Sequence, residues 1–329
     1  MTGTLGLGVV GAGRVSADHA KAAQQLDGVA LRAVAEVDET RRLTFAQRFA
    51  CAGEASLDAL LRRDDIDLVV LALPHRLHAE AAIQALQAGK HVLVEKPMAM
   101  SVEECDSMLD AAQRAGRLLA VGLTHHFHPV PAAARDLIRS GRLGRLAWAT
   151  ETQYSQRRLG SNPVWLFDRA EGGGQLLANG VHFLDRLMML AGSRIVAVKA
   201  LVGSFFNAYP SDDGTLAYFQ FANGAAGTLA LTGHFSGAST SLAQAVCTKG
   251  MLRYGKELEA TDPDQPDVEA YRVVAVPPAS GFARQLQNVA AAIRGEGALE
   301  APGEWGRDVM RALFACEESS RSGREVLLP

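Results

Sequence analysis

Residues 6–16 read GLGVVGAGRVS, an apolar run that breaks into glycines and then into a helical pattern. Leu5–Val10 reads as a strand. Arg14–Leu26 has helical periodicity. Between them, Gly11, Gly13 and Ser16 occupy the G-x-G-x-x-G/A frame. The first glycine permits the tight turn, the second lets a pyrophosphate approach the backbone, and a small third residue lets helix and strand pack. Ser16 departs from the motif but is small. The helix N-terminus that follows offers free N–H groups and partial positive charge to phosphates.

Working outward, Leu31–Ala35 reads as a second strand ending at Glu36, at about the 20-residue separation expected of a ribose-binding acid. A carboxylate there accepts hydrogen bonds from the adenosine ribose and repels a 2′-phosphate. NAD is therefore the expected cofactor, with NADP left open by the nearby Arg41 and Arg42. A glycine-rich turn alone would be an ordinary loop; strand, helix and acid together argue for a dinucleotide site.

Strand and helix patterns alternate onward: a helix over Glu39–Phe49, a buried strand within Asp67–Leu73 stopped by Pro74, a helix over Leu77–Ala88 closed by Gly89, and a strand at His91–Val94. Ser101 and Glu104 form a capping box for a helix to about Ala115, and Leu118–Gly122 is a further strand. Alternation of this kind predicts a parallel sheet with crossover helices. Beyond it the pattern changes. Val130–Arg139 reads as a helix, Leu146–Tyr154 as a strand and Gly174–Leu190 as a helix. From Ile195 to about Val276, strands are separated by turn residues such as Asp213-Gly214 and Asn223-Gly224, which favour antiparallel hairpins. Two helices, near Phe282–Arg294 and Glu304–Ser320, follow. The acidic, proline-containing Thr261–Val268 reads as a surface loop. The expected fold is α/β: a doubly wound Rossmann sheet over residues 1–123, then an α+β domain over residues 124–329 with an open, mainly antiparallel sheet.

Composition narrows the function. The 329 residues are 48% hydrophobic and 21% charged with a net charge of -3, which gives no electrostatic case for nucleic acid or an anionic membrane. No apolar run approaches the roughly 18 residues of a membrane-span candidate, and no export signal is read at the N-terminus. Cys51, Cys105, Cys247 and Cys316 form no C-x-x-C pair, so reduced thiols and a cytoplasmic location are expected.

Two further segments carry chemistry. In KHVLVEKPMAM, Glu95-Lys96-Pro97 falls at the C-terminal end of a buried strand, the edge where open parallel sheets bind ligands. A lysine there can polarise a substrate oxygen or donate a proton, more so if burial lowers its pKa; a solvated lysine is the plain alternative. In GGGQLLANGVHFLDRL, helical spacing puts Ala178, Asn179, His182 and Asp185 on one side and Leu177, Val181, Leu184 and Met188 on another. His182 alone would read as a structural histidine. Three glycines before this helix suggest a close backbone approach. His125, His126 and His128 lack a carboxylate or thiolate partner at ligand spacing, so no metal is expected. His125, His126, Arg157 and Arg158 could instead converge on an anionic substrate group, or the two arginines could simply carry surface charge.

Taken together, these segments resemble the Gfo/Idh/MocA family, the glucose–fructose oxidoreductase and inositol dehydrogenase group, over nearly the whole chain. GVVGAGRVS is similar to the family's first-strand fingerprint. LPHRLHAEAAIQALQAGKHVLVEKP matches its proline turn and following helix, with Pro74, His78, Gly89, Lys90, Glu95, Lys96 and Pro97 in place. GGG through Gly180, His182 and Asp185 matches its glycine-rich helix, and GEWGRDVMRALFACEESSRSGREV its closing helix. The resemblance implies hydride transfer between nicotinamide and a secondary alcohol or carbonyl carbon of a sugar, cyclitol or related hydroxy acid, with Lys96 and His182 as the proton-handling pair. It implies a cofactor site lined by Gly11, Gly13, Arg14, Val15, Glu36, Leu73, Pro74, His75, His78, Glu95, Lys96 and Thr124. Substrate contacts would come from Lys96, His125, His126, Arg157, Trp165, Asn179 and His182. The C-terminal sheet would mediate a homodimer or homotetramer. Three departures stand out: Ala178 where the family often has Asp, Leu73-Pro74-His75 where it usually has Thr-Pro-Asn, and Thr124–Pro129 in place of an Asn with arginines. A non-catalytic dinucleotide-binding regulator, or a hydrolase or isomerase that retains its cofactor, are the alternatives.

Overall fold

The computed structural model describes residues 3–156, 164–207, 210–234, 237–265 and 270–329. They form two compact units, Met1–Phe127 with Ser280–Arg307, and His128–Ala279 with Asp308–Pro329. The first opens with β1 (Leu5–Val10), α1 (Arg14–Gln24), β2 (Val29–Ala35), α2 (Glu39–Phe49), β3 (Ala52–Glu54) and α3 (Leu57–Leu61). It continues with β4 (Leu68–Leu71), α4 (His78–Gln87), β5 (His91–Val94), α5 (Val102–Ala115) and β6 (Leu119–Val121). The second contains α6 (Pro129–Arg139), β7 (Leu146–Gln156) and α7 (Val181–Ala191). Next come β8 (Ile195–Gly203), β9 (Gly214–Phe221), β10 (Ala226–His234), β11 (Thr240–Cys247), β12 (Gly250–Tyr254), β13 (Leu258–Ala260) and β14 (Arg272–Val274). After these lie α8 (Gly281–Arg294), α9 (Gly303–Ser322) and β15 (Val326–Leu327).

The first unit is a parallel six-stranded sheet in the order β3-β2-β1-β4-β5-β6, the doubly wound Rossmann arrangement. Every residue of β1 and β4 is buried, because crossover helices cover both faces of such a sheet. Strand order reverses between β1 and β4, paired Leu7↔Leu68 through Val10↔Leu71. The crevice beyond their C-terminal ends is where this fold binds ligands.

The unit is not continuous in sequence, which differs from the expected split at residues 123/124. Leu286, Val289 and Ala290 of α8 share one core cluster with Leu5, Leu7, Val9, Leu68 and Leu93. Phe45 and Phe49 of α2 pack instead with Ala20 and Val34. The amphipathic pattern of α8 announces a helix that needs a partner but does not say which sheet supplies it.

The second unit carries a nine-stranded sheet in the order β14-β13-β12-β11-β7-β10-β9-β8-β15. It is mainly antiparallel, as expected, except that β10 runs parallel to β7 from Ala226↔Trp148 to His234↔Gln156. Asn223-Gly224 does form the tight β9–β10 turn, with Gly224 at φ +83°. Asp213-Gly214 does not form such a turn. Residues 204–213 separate β8 from β9, and the Asp213 carboxylate accepts the backbone N–H groups of Phe205, Phe206 and Asn207 at 2.7, 3.0 and 2.7 Å. Along β9 burial alternates, so Phe219 and Phe221 face the core while Leu216 and Tyr218 are exposed. Among the described residues, no helix is long and apolar enough to cross a membrane.

Candidate active site

The phosphate-binding turn is built as its sequence demands. Gly11 has φ +93°, and a Cβ there would lie 2.5 Å from the Ala72 carbonyl oxygen, so no side chain fits. A Cβ on Gly13 would meet nothing within 4 Å, leaving that backbone open to approach. Gly13 is also the N-cap of α1 and supplies no side-chain cap. The N–H groups of the exposed Arg14, of Val15 and of the buried Ser16 begin the helix, and its unsatisfied donors are what a pyrophosphate would use. Glu36 closes the other side. Its carboxylate is 9% exposed and accepts the Ala12 N–H at 3.0 Å, the Asp38 N–H at 3.0 Å and an Arg41 guanidinium nitrogen at 3.1 Å. Arg42 instead donates to the Glu36 carbonyl at 3.0 Å. An open glycine cradle, a helix end without a cap and a carboxylate poised beside it suit a dinucleotide.

Across the strand switch lie the turns after β4 and β5. Leu73 and Pro74 are half-buried, and His75 is buried in the short helical turn that follows. His78, fully buried, places Nε2 2.9 Å from the Leu73 carbonyl oxygen and Nδ1 2.8 Å from that of Pro97. Thus His78 contacts two backbone turns. Glu95 accepts His19 Nε2 at 2.8 Å and the Lys96 N–H at 3.2 Å. Burial alone would raise the Glu95 pKa. The hydrogen bond and charge of His19, with Lys96, outweigh it and hold the carboxyl below its ordinary value. Lys96 itself is half-buried.

Two contributors here escape sequence reasoning. His19 is fully buried on α1 with its ring edge-on to Phe282. A Cβ on Gly122 would lie 2.9 Å from the Glu95 carboxyl carbon and 3.0 Å from its Cα, so Gly122 makes the room Glu95 occupies. The available signals were a histidine on the inner face of a helix and a glycine ending a strand; neither names a partner. Thr124, His125 and His126 form a short helical turn after β6. Thr124 and His126 are buried, His126 edge-on to Trp305 with ring centroids 5.6 Å apart. His125 is half-buried.

The second unit holds the histidine helix. Of the eleven residues of α7, every one but His182 is buried. The preceding turn, Leu176–Gly180, is a π-turn in which the Val181 N–H reaches back to the Leu176 carbonyl. Such turns re-aim neighbouring side chains and recur at functional sites. Ala178 is buried within it. Asn179 donates to Gln175 at 3.1 Å, and Gln175 in turn to Ser155 and the Thr232 carbonyl, both at 3.3 Å. The glycines before the turn approach the protein's own chain: Gly174, at φ +110°, would put a Cβ 2.2 Å from Asp212 Oδ1. Asp185 is fully buried. Its neighbour Arg186 donates to Glu151 of β7 through Nε at 2.8 Å and through a second guanidinium nitrogen, which seats α7 on the sheet. Trp165 is half-buried in a short helical turn. Arg157 and Arg158 lie outside the described residues.

Residues 5–123 match an oxidoreductase family with an NAD-binding Rossmann fold, and residues 132–253 match the GFO/IDH/MocA C-terminal domain. The chain is 35% identical over 208 residues to a 1-carboxy-3-chloro-3,4-dihydroxycyclohexa-1,5-diene dehydrogenase of Comamonas testosteroni, covering 63% of this chain and 52% of that one. It is 30% identical over 189 residues to a 2,7-anhydro-N-acetylneuraminate hydratase of Mediterraneibacter gnavus, covering 57% and 50%. The chain thus spans about half the length of these curated relatives. The solved WlbA dehydrogenase from Bordetella pertussis, in complex with NADH and UDP-GlcNAcA, superposes with a TM-score of 0.85 at 25% identity over 99% of each chain. With its NAD-binding Rossmann sheet, its glycine cradle and both matched domains, the chain belongs to the Gfo/Idh/MocA oxidoreductase family.

Proposed function

We propose that the chain is an NAD-dependent dehydrogenase that moves a hydride between nicotinamide and a secondary alcohol or carbonyl carbon of a sugar, cyclitol or related hydroxy acid. The observation that carries this reading is His182, the one residue of α7 that is not buried, together with Lys96 directly after the held carboxylate of Glu95. Bound NAD supplies the hydride acceptor. His182 takes the hydroxyl proton as the carbon gives up its hydride. Lys96, at the C-terminal edge of the Rossmann sheet, can donate a hydrogen bond to a substrate oxygen and stabilise charge that develops on it.

Two variants test the pair. Lys96→Ala and His182→Ala should each lower turnover by about 100- to 10,000-fold, with NAD affinity by calorimetry close to wild type. Wild-type turnover in both would sink the assignment. A screen of sugars, cyclitols and hydroxy acids read by the absorbance of reduced cofactor identifies the substrate.

The hydratase relative favours a second reading, a reaction in which tightly held cofactor is reduced and reoxidised within one turnover. Absence of net NADH under turnover of a consumed substrate would select it. The reading extends to a homodimer or homotetramer, because the second unit leaves Leu201, Phe205, Phe206 and Leu216 half or more exposed around an open 490 Å³ groove. Exposed apolar surface of this kind marks protein interfaces. A cytoplasmic location accords with four free cysteines.

A further inference from the structure

Lys96 sits between two residues that buried histidines hold. Glu95, before it, is gripped at its carboxylate by His19 of α1. Pro97, after it, is met at its carbonyl by His78 of α4. We propose that His78 is a positioning residue for Lys96: its ring spans the turns after β4 and β5, one nitrogen on the Leu73 carbonyl and the other on the Pro97 carbonyl. The purpose so assigned rests on Lys96 being the proton-handling lysine.

The chemistry of the ring distinguishes this from simple filling of the core. Both partners, 2.9 and 2.8 Å away, are carbonyl oxygens, which only accept. A neutral imidazole carries one N–H, so it satisfies one carbonyl and turns a lone pair on the other; an imidazolium satisfies both. A buried apolar residue would fill the same space without tying either turn. The separation of the two turns therefore depends on the proton count of His78.

Among the described residues, three titratable groups face it. Glu95 favours the imidazolium, Lys96 opposes it, and His75 lies with its ring centroid 5.8 Å away. Burial is the largest influence and lowers the His78 pKa against the two carbonyls. The ring thus donates once at neutral pH and gains its second donor on acidification. The Lys96 turn is tied at one point above that transition and at two below it.

Acetylation of lysines by acetic anhydride, mapped by mass spectrometry, reads the surroundings of Lys96 without any substrate. Two other lysines serve as controls. Lys90 donates to the Arg63 and Ile66 carbonyls at 2.9 Å each and reports opening of the unit. Lys21, 51% exposed, reports reagent dose. His78→Leu should change the Lys96 rate by about fivefold, the order expected for one neutral hydrogen bond, with Lys90 and Lys21 unchanged. The ratio to wild type should be larger well below the ordinary imidazole range, at about pH 5, than at about pH 8, where the imidazole has no second donor. His78→Gln keeps a donor that cannot titrate. It should return the Lys96 rate toward wild type at the higher pH and differ from it at the lower. Wild-type Lys96 labelling in both variants, or a change shared by Lys90, overturns the proposal. If His78→Leu does not fold, the pH comparison of His78→Gln with wild type decides alone. Turnover of Lys96→Ala tests the functional reading separately, because labelling needs neither substrate nor catalysis.

Discussion

Replacing Glu36 by serine should narrow the preference for NAD over NADP by about tenfold, and the size follows from the surroundings of the carboxylate. Glu36 accepts two backbone N–H groups at 3.0 Å and Arg41 at 3.1 Å. A 2′-phosphate replacing the ribose hydroxyl would come within about 5 Å of this charge. Two unit charges at that distance interact by about 3 kcal/mol at an effective dielectric of about 20, and by about 0.8 kcal/mol in bulk water. The Arg41 side chain is 60% exposed and that of Glu36 8%, which places the site between these two limits. A repulsion of about 1.4 kcal/mol, or tenfold, is the result. Serine removes the charge, keeps a hydroxyl for the ribose and releases Arg41, whose planar fork suits a phosphate. Calorimetric titration of NAD and NADP into wild type, Glu36→Ser and Glu36→Ser/Arg41→Ala gives the three ratios. The double variant should lose part of the NADP gain. A wild type that prefers NADP, or a Glu36→Ser ratio within about threefold of wild type, would refute the reasoning.

Three further outcomes follow from the same geometry. Gly122→Ala sets a methyl 2.9 Å from the Glu95 carboxyl carbon and should cost about 1–3 kcal/mol as overpacking; an unchanged Tm by calorimetry contradicts it. Because Glu95 is held below its ordinary pKa, the stability its charge lends is present above the ordinary carboxylate range and is lost as pH falls through the lowered value. Glu95→Gln should flatten that acid limb of the stability curve, and an identical slope in variant and wild type would show that the carboxylate plays no such part. Leu216→Glu with Phe206→Glu should give a monomer by sedimentation at micromolar concentration, whereas a monomeric wild type removes the oligomer altogether.

The local fold was legible wherever one segment decides its own structure. Leu5–Val10, Glu39–Phe49 and His91–Val94 are found at the expected bounds, because buried apolar runs and caps act within a few residues. The glycine cradle and Glu36 were legible for the same reason: the motif encodes a turn and a distance along the chain. What the sequence does not carry is which segments meet. His19 with Glu95, His78 with Pro97 and α8 with β1 join residues far apart in the chain, and one sequence holds no signal of such pairs. The π-turn at Leu176–Gly180 has the sequence pattern of ordinary helix, since one shifted hydrogen bond leaves the apolar periodicity intact.

The discontinuous first unit has a bearing on synthesis. A ribosome delivers Met1–Phe127 long before Ser280–Arg307, yet Leu286, Val289 and Ala290 complete the packing on Leu5, Leu7 and Val9. Until α8 emerges, that face of the nascent sheet is covered by α1, through Ala22 and Ala23, but lacks α8, at a delivery rate of about 5–20 residues per second. Residues His128–Ala279 of the second unit are made in the interval. A fragment cut at Phe127 would lack Leu286, Val289 and Ala290 and leave exposed the apolar surface they cover. Chaperone demand in the cell should track the delay between the two pieces of the first unit rather than the length of the chain.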